Sequence, residues 1–313
     1  MVTFSNDQPW SWDHLDHSTA ARLIFGHLPN ADYAKLEPFG SGDFCIAFQW
    51  GNQVVRVARH PEAASALRRE TCVLAGIGGM LPLPVPQPTY YSPPGCPPFT
   101  IHNEILGEVL TRESWENLPS FELEKAAEDL ADFLRTLHSI PVEMSQKCEL
   151  ARLDAAAFAR RLREASMETI YEFLDPETRH QLDTTLEKWS LLSQPDEWQP
   201  SLLHCDIGPG HVLYDPQAKN VTGVIDFGDI LIGEPARDFV YIYEDYGPVI
   251  LNEVLNRYAG QEAPKMMFAI RKWYLLEAIS WTVRMYLEQR PTEMHHGLEE
   301  VRRELTIEGN IHA

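Results

Sequence analysis

The sequence predicts an α+β fold of two lobes, a small antiparallel β-sheet N-lobe followed by a mainly helical C-lobe, and three observations carry that prediction. From Ala34 to Arg59 the apolar positions alternate with the period of strands, interrupted by glycine turns. Between Leu81 and Phe99 there are eight prolines, which exclude a helix and a central strand. Beyond residue 104 the apolar spacing changes to the helical period. The boundary therefore falls near residue 104, giving an N-terminal lobe of residues 1–104 and a C-terminal lobe of residues 105–313.

Residues 13–28 read as a short opening helix. Gly51-Asn52 supplies turn chemistry between Ile46-Ala47-Phe48-Gln49-Trp50 and Gln53-Val54-Val55-Arg56-Val57, which makes a hairpin. Pro61 to Leu74 reads as a helix, with Ala63, Ala66, Leu67, Glu70 and Leu74 on one side. The proline-rich stretch reads as edge strands and turns, and residues 99–107 as the last strand of the small lobe. Ser120 is an expected N-cap for a helix with Leu123, Ala127, Leu130, Leu134 and Leu137 on one face, which Pro141 stops. Two further helices are expected over residues 154–174 and, capped by Asp175 with Pro176 at its first turn, up to Leu192. Short strands are expected over residues 202–213 and 222–226, and helices from Pro235 to the end.

Composition excludes several classes of function. The chain has 313 residues, 44% of them apolar, enough for a full core and unlike a disordered chain. Its 26 Lys and Arg against 46 Asp and Glu leave a net charge of −20, which argues against nucleic acid or an anionic membrane as partner. An acidic body suits a polycationic ligand. Five cysteines, odd in number and without metal-ligand spacing, indicate neither a disulfide framework nor a zinc site, and fit a reducing compartment. Met1 to His14 lacks the order of a signal peptide, and no apolar run reaches the ~18 residues of a membrane span, so a cytoplasmic location is expected.

The chemistry is concentrated in Leu203-His204-Cys205-Asp206-Ile207-Gly208-Pro209-Gly210-His211 and in Ile225-Asp226-Phe227-Gly228-Asp229. A loop aspartate followed five positions later by a metal ligand, and then by the aspartate of an Asp-Phe-Gly triplet, is the spacing of a kinase-type phosphoryl-transfer site. The His-x-Asp-x-x-x-x-His pattern, with Cys205 where Arg is usual and His211 where Asn is usual, resembles the aminoglycoside phosphotransferase family of antibiotic kinases, closest to the aminoglycoside 2''-phosphotransferases. Residues 40–47, 54–59, 133–141 and 237–245 carry the same resemblance in the same order. It implies a bilobal protein-kinase-like fold and a small-molecule kinase. The reaction would transfer the γ-phosphate of ATP or GTP to a hydroxyl of an aminoglycoside, with Mg²⁺, two ions being expected. The alternatives are a macrolide kinase, a metabolite kinase of the choline or homoserine type, and a non-catalytic kinase-like binding protein.

Asp206 is the expected catalytic residue, accepting a hydrogen bond from the acceptor hydroxyl. His211 and Asp226 are the expected metal ligands, the imidazole being an unusual choice for an ion that favours oxygen. His204 and Asp238 are expected to brace the loop, and Cys205 to be inert filler. On the small lobe, strand alternation puts Val54 and Arg56 on one face, Val54 toward the purine and Arg56 toward the phosphates, with Glu70 as its helix partner. Arginine stands where most kinases have lysine, a longer and planar group, and Arg59 is the alternative phosphate ligand. Gly40 and Gly42 would let the hairpin tip approach the triphosphate, with Ser41 as donor. Backbone groups of Asn103, Glu104 and Ile105 would meet the purine edge. The acceptor side is read at Asp206, Glu244, Asp245, Glu277 and Trp281, with Trp273 and Arg284 on the helix face of Glu277. A monomer is the expected state.

Overall fold

The computed structural model describes residues 11–12, 15–28, 36–191 and 199–311. Residue 13, the expected start of the opening helix, and Ala34 and Leu192 lie outside the described residues. In chain order the elements are α1 (His17–Phe25), β1 (Leu36–Ser41), β2 (Cys45–Trp50), β3 (Gln53–Ala58), α2 (Pro61–Ile77), β4 (Thr89–Tyr91), β5 (Phe99–Asn103), β6 (Glu108–Val109), α3 (Arg112–Glu116) and α4 (Ser120–Ser139). They continue with α5 (Ala155–Glu168), α6 (Pro176–Leu191), β7 (Ser201–Leu203), β8 (Val212–Asp215), β9 (Asn220–Val224), β10 (Leu231–Gly233), α7 (Gly247–Ala259), α8 (Ala263–Leu287) and α9 (Pro291–Ile311). Two compact units result, one of residues up to 150 with 209–230, the other of residues 151–208 with those from 231 onward.

The first unit is built on a five-stranded antiparallel sheet in the order β1-β2-β3-β5-β4. Gly51 takes φ +64° in the β2–β3 turn, a conformation glycine adopts without a Cβ clash. Val55 and Val57 enter a core with Ile24 and Ala20 of α1, Ile46, Phe48 and Phe99. Alternation therefore leaves Val54 and Arg56 on the opposite face of β3. Among prolines, only the short β4 forms, and it sits at the sheet edge as expected. Helix α2 starts on Pro61, with the His60 ring accepting from the Ala63 amide at 3.2 Å. Helix α4 begins at Ser120 itself, and Pro119 occupies the cap position without a side-chain bond, one residue from the expectation.

The same unit contains a second sheet, β6-β8-β9. Buried Glu122 of α4 fastens it, accepting from the Tyr214 hydroxyl at 2.9 Å and from Lys219 Nζ at 2.8 Å. One expectation is overturned here. Cys72 of α2 and Cys148, at the end of the 3₁₀ segment Val142–Cys148, form a disulfide across 76 residues. Cysteine count and spacing hold no trace of it, because the pair is brought together by packing of α2 on that segment. Cys45, Cys96 and Cys205 take part in no disulfide.

The second unit is mainly helical, with β7 and β10 paired antiparallel; β10 was not anticipated. Asp154 and Asp175 cap α5 and α6 as read from sequence, Asp154 accepting from the Ala157 amide at 3.0 Å and Asp175 from the Thr178 amide at 3.0 Å. The expected helix over residues 154–174 ends at Glu168, and a 3₁₀ turn Tyr171–Phe173 follows. Between β10 and α7 the chain makes a 3₁₀ turn, Pro235–Phe239, and a single wider π turn, Ile242–Tyr246. No described helix is long and apolar enough to cross a membrane.

Candidate active site

The β8–β9 register explains how His211 and Asp226, fifteen positions apart, become neighbours. Val212 pairs with Val224, and the Ile225 amide donates to the His211 carbonyl at 2.9 Å, so the residues flanking the hairpin ends lie side by side. His211 Nε2 is 3.9 Å from Asp226 Oδ2. Two donors about 2.1 Å from one octahedral ion lie about 3.0 Å apart at adjacent positions and about 4.2 Å apart at opposite ones, so a small side-chain rotation from 3.9 Å would let this pair share Mg²⁺. Among the described residues no group of three or more His, Cys, Asp and Glu could hold a metal, so phosphate and water would complete the shell. Asp226 has φ +64°, an uncommon conformation for a residue with a Cβ and of the kind found where a site fixes the backbone.

Arg56 completes this cluster. One guanidinium nitrogen bonds both oxygens of Glu70 at 2.8 Å, and the other bonds Asp226 Oδ1 at 2.7 Å. Burial opposes the Arg56 charge, but Glu70 and Asp226 outweigh it and hold the group cationic. Glu70 is fully enclosed; burial pushes its carboxyl up, and Arg56 together with the Phe227 amide works against that. The expected Arg56–Glu70 pair is thus present, and it extends to Asp226. Arg59 is committed elsewhere, bonding Ser41 Oγ and the Gly42 carbonyl at 3.0 Å each, which ties down the hairpin tip.

Of the backbone groups expected at the purine edge, two are occupied within the protein. The Asn103 carbonyl contacts the His102 ring at 2.9 Å, and the Glu104 amide donates to the Asn52 carbonyl at 2.9 Å. Ile105, which lies against Gly223, makes no backbone hydrogen bond among the described residues, and neither does the Glu104 carbonyl.

In the second unit the loop after β7 is held by Asp238. Its carboxylate accepts from the His204 amide at 2.9 Å and from the Cys205 amide at 2.6 Å, while the His204 ring accepts from the Asp206 amide at 3.2 Å. Cys205 takes φ +69°. These contacts fix the backbone leading into Asp206 and give His204 and Asp238 bracing positions. Asp245 Oδ2 lies 3.1 Å from where a Cβ of Gly208 would be, so glycine permits that approach.

A cavity of about 660 Å³ opens between the π turn, α8 and α9. It brings together three of the residues read as acceptor-binding, Glu244, Glu277 and Trp281, with Arg284. Asp245 is not on its wall and stands over Gly208 instead. Trp273 is core: it is fully buried, stacks on Phe158 and donates to Glu234 at 2.8 Å. Missed from sequence were Tyr241, Tyr274 and the whole α9 wall, His296, Glu300 and Arg303. Helix α9 carries no motif, and only its packing on α8 reveals it as a wall. Gly297 allows that packing, since a Cβ there would meet Thr282 Oγ1 at 2.2 Å.

An antiparallel sheet bearing a buried Arg–Glu pair, followed by an anchored His-x-Asp loop and an Asp-Phe-Gly hairpin, defines the class of kinase-like α+β proteins. Comparison with known proteins agrees and is more specific. The chain belongs to the phosphotransferase enzyme family, whose family model matches residues 46–273. An aminoglycoside 3'-phosphotransferase of Streptomyces fradiae is 29% identical over 178 residues, 53% of this chain and 63% of that protein. The chain spans between 42% and 64% of the length of the curated relatives it matches. A solved GDP complex of a mutant aminoglycoside 2'-phosphotransferase-IIIa, 21% identical, covers 95% of this chain and 100% of its own with a TM-score of 0.85. The GDP and kanamycin complex of APH(2'')-IIIa, 22% identical, covers 90% of this chain and 97% of its own with a TM-score of 0.81. The protein-kinase-like fold and the resemblance to the aminoglycoside phosphotransferases are both borne out.

Proposed function

We propose that this chain transfers the γ-phosphoryl group of ATP or GTP to a hydroxyl of an aminoglycoside, in the manner of the relatives it resembles. The observation that carries the reading is the hairpin register that sets His211 beside Asp226, five residues along the chain from the anchored Asp206. The residues up to 104 act as the nucleotide-binding lobe and those from 105 as the catalytic and acceptor lobe. Val54 faces the base, Ile105 offers its backbone to the purine edge, and Arg56 and Ser41 face the phosphates.

Asp206 accepts the hydrogen bond of the acceptor hydroxyl and orients its oxygen at the γ-phosphorus. As the new P–O bond forms, the bond to the β-phosphate oxygen breaks, the nucleoside diphosphate leaves, and the hydroxyl proton passes to Asp206. His211 and Asp226 would hold Mg²⁺, which when bound neutralises charge on the phosphate oxygens. Arg56 adds a fixed positive charge at the same phosphates, oriented by Glu70. The acceptor amines are held in the cavity of the second unit. The net charge of −20 fits a monomer acting on a small cationic substrate.

The test is phosphate transfer from ATP and from GTP, with Mg²⁺, to aminoglycosides, macrolides and small amino alcohols. Asp206→Ala is expected to lower aminoglycoside-dependent transfer by about two to four orders of magnitude while nucleotide still binds. Transfer only to another acceptor replaces the substrate and keeps the chemistry. Nucleotide binding with no transfer to any acceptor identifies a kinase-like binding protein.

A further inference from the structure

Asp238 holds the loop that carries Asp206, so the seat of Asp238 decides where Asp206 stands. Asp238 lies in the 3₁₀ turn Pro235–Phe239, a segment too short to hold its own place, in which the Arg237 amide donates to the Glu234 carbonyl at 3.0 Å. Two charged contacts seat this turn on α8. At its start Glu234 accepts from Lys272 Nζ at 2.9 Å and from Trp273 Nε1 at 2.8 Å, and within it Arg237 Nε lies 3.0 Å from Glu277 Oε1. Lys272 and Glu277 stand about 7.5 Å apart along the helix axis. One contact would leave the turn free to pivot about Glu234, whereas two at that separation fix its orientation as well.

Arg237 is the more informative partner. It is buried, rests on the Tyr241 ring, and its Nη1 has no hydrogen-bond acceptor among the described residues. Burial opposes its charge; Glu277 offsets this most and Cys205 of the catalytic loop next, which places the guanidinium near that loop. A ligand ammonium that drew Glu277 away would leave an uncompensated buried cation there. Glu277 is therefore committed within the protein, although its side chain stands in the cavity wall.

Resting on the phosphotransfer reading above, we propose that Glu277 and Arg237 are positioning residues for Asp206, acting through the turn and Asp238, and that Glu277 is not a ligand of the acceptor. This reverses the role that the sequence suggests for Glu277, which rests on its sharing a helix face with Trp281. The cation that commits it lies in a different element. Helix α8 thus lines the cavity on one side and seats the catalytic loop on the other. A change at Glu277 is read in turnover and not in acceptor affinity.

Two measurements on the full chain test this: steady-state transfer to kanamycin, or to the acceptor of the panel above that turns over in its place, and amide hydrogen exchange of the peptide spanning residues 203–207. Glu277→Gln is expected to lower kcat about tenfold to a hundredfold while the acceptor KM changes less than about twofold. It should also speed exchange at the His204 and Cys205 amides, which Asp238 holds, while α6 in the same unit exchanges as in the wild type. Glu277→Asp keeps the charge on a shorter side chain; it should recover part of the lost kcat, and it carries the test if Glu277→Gln does not fold. The proposal is overturned if the variant raises the acceptor KM with kcat unchanged, the mark of an acceptor ligand. It is overturned equally if the loop exchanges no faster, or if exchange rises alike throughout the second unit, the mark of a pair that only stabilises. Faster loop exchange in a chain that transfers phosphate to no acceptor supports the seating and overturns the phosphotransfer reading instead.

Discussion

The two charged clusters of this protein differ in whether the protein has already completed them. Around Arg56, one guanidinium serves Glu70 and Asp226 together, in a largely enclosed setting. Around the cavity of the second unit, three carboxylates face the arginines of two different elements, and one carboxylate is left over. A completed cluster fixes geometry for a reaction common to a whole family, whereas an incomplete one leaves a charge for a particular ligand to satisfy. Mutations should therefore cost stability in the first cluster and selectivity in the second.

The largest effect is expected from Glu70→Gln. Removing one partner of a buried pair leaves uncompensated charge, and the loss should be about 3–5 kcal/mol in a denaturant titration. A loss below about 1 kcal/mol, the value of an exposed pair, would erase the distinction between the clusters. Glu244→Gln should cost nothing, because it breaks no internal contact and removes a charge that its acidic neighbours disfavour.

Next in size is the disulfide that ties α2, the helix carrying Glu70, to residue 148. Cys72→Ser, or full reduction, should lower stability by about 2–4 kcal/mol. Acceptor binding in the second unit should be unaffected, and a matching loss of kanamycin affinity would show that the clusters are not independent.

Arg56→Lys tests whether the fork matters or only the charge. An ammonium is a point charge and cannot bond Glu70 and Asp226 in the same planar geometry. The expected result is a rise in KM for the nucleotide of about tenfold, or 1.4 kcal/mol, with the acceptor KM unchanged. Equal KM values for arginine and lysine would mean that charge alone is read.

How far each cluster was legible in the sequence follows from the same difference. Asp206, His211 and Asp226 lie on one loop and one hairpin, so their spacing along the chain is also their geometry. Arg56 and Glu70 follow from strand alternation and helix period, each a local rule. The cavity is assembled from Tyr241 just before the π turn, Glu244 on it, Glu277 on α8 and Glu300 on α9, and no local rule relates them. Glu277 and Trp281 were found because they share a helix face, whereas His296 and Glu300 lacked even that. The disulfide was lost for the same reason, as were the bonds that occupy Asn103 and Glu104. Each depends on which distant segment packs alongside.

The smallest effect, and the one most particular to the open cluster, is in pH. Glu244 is raised above the ordinary glutamate value first by enclosure and then by Asp245, Glu300 and Glu277, with Arg237 opposing. A carboxyl raised on folding holds its proton to higher pH in the folded state than in the unfolded one, so its ionisation lowers stability as pH climbs through the folded value. Ammonium binding needs the ionised form. Kanamycin affinity should therefore increase with pH through a window lying above the usual glutamate value of about 4.3, by less than tenfold per pH unit, with a proton released on binding. Glu244→Gln is the control that separates this carboxyl from the other groups of the cavity wall. A flat profile in that variant assigns the dependence to Glu244; a profile that persists removes the unpaired carboxylate from the comparison.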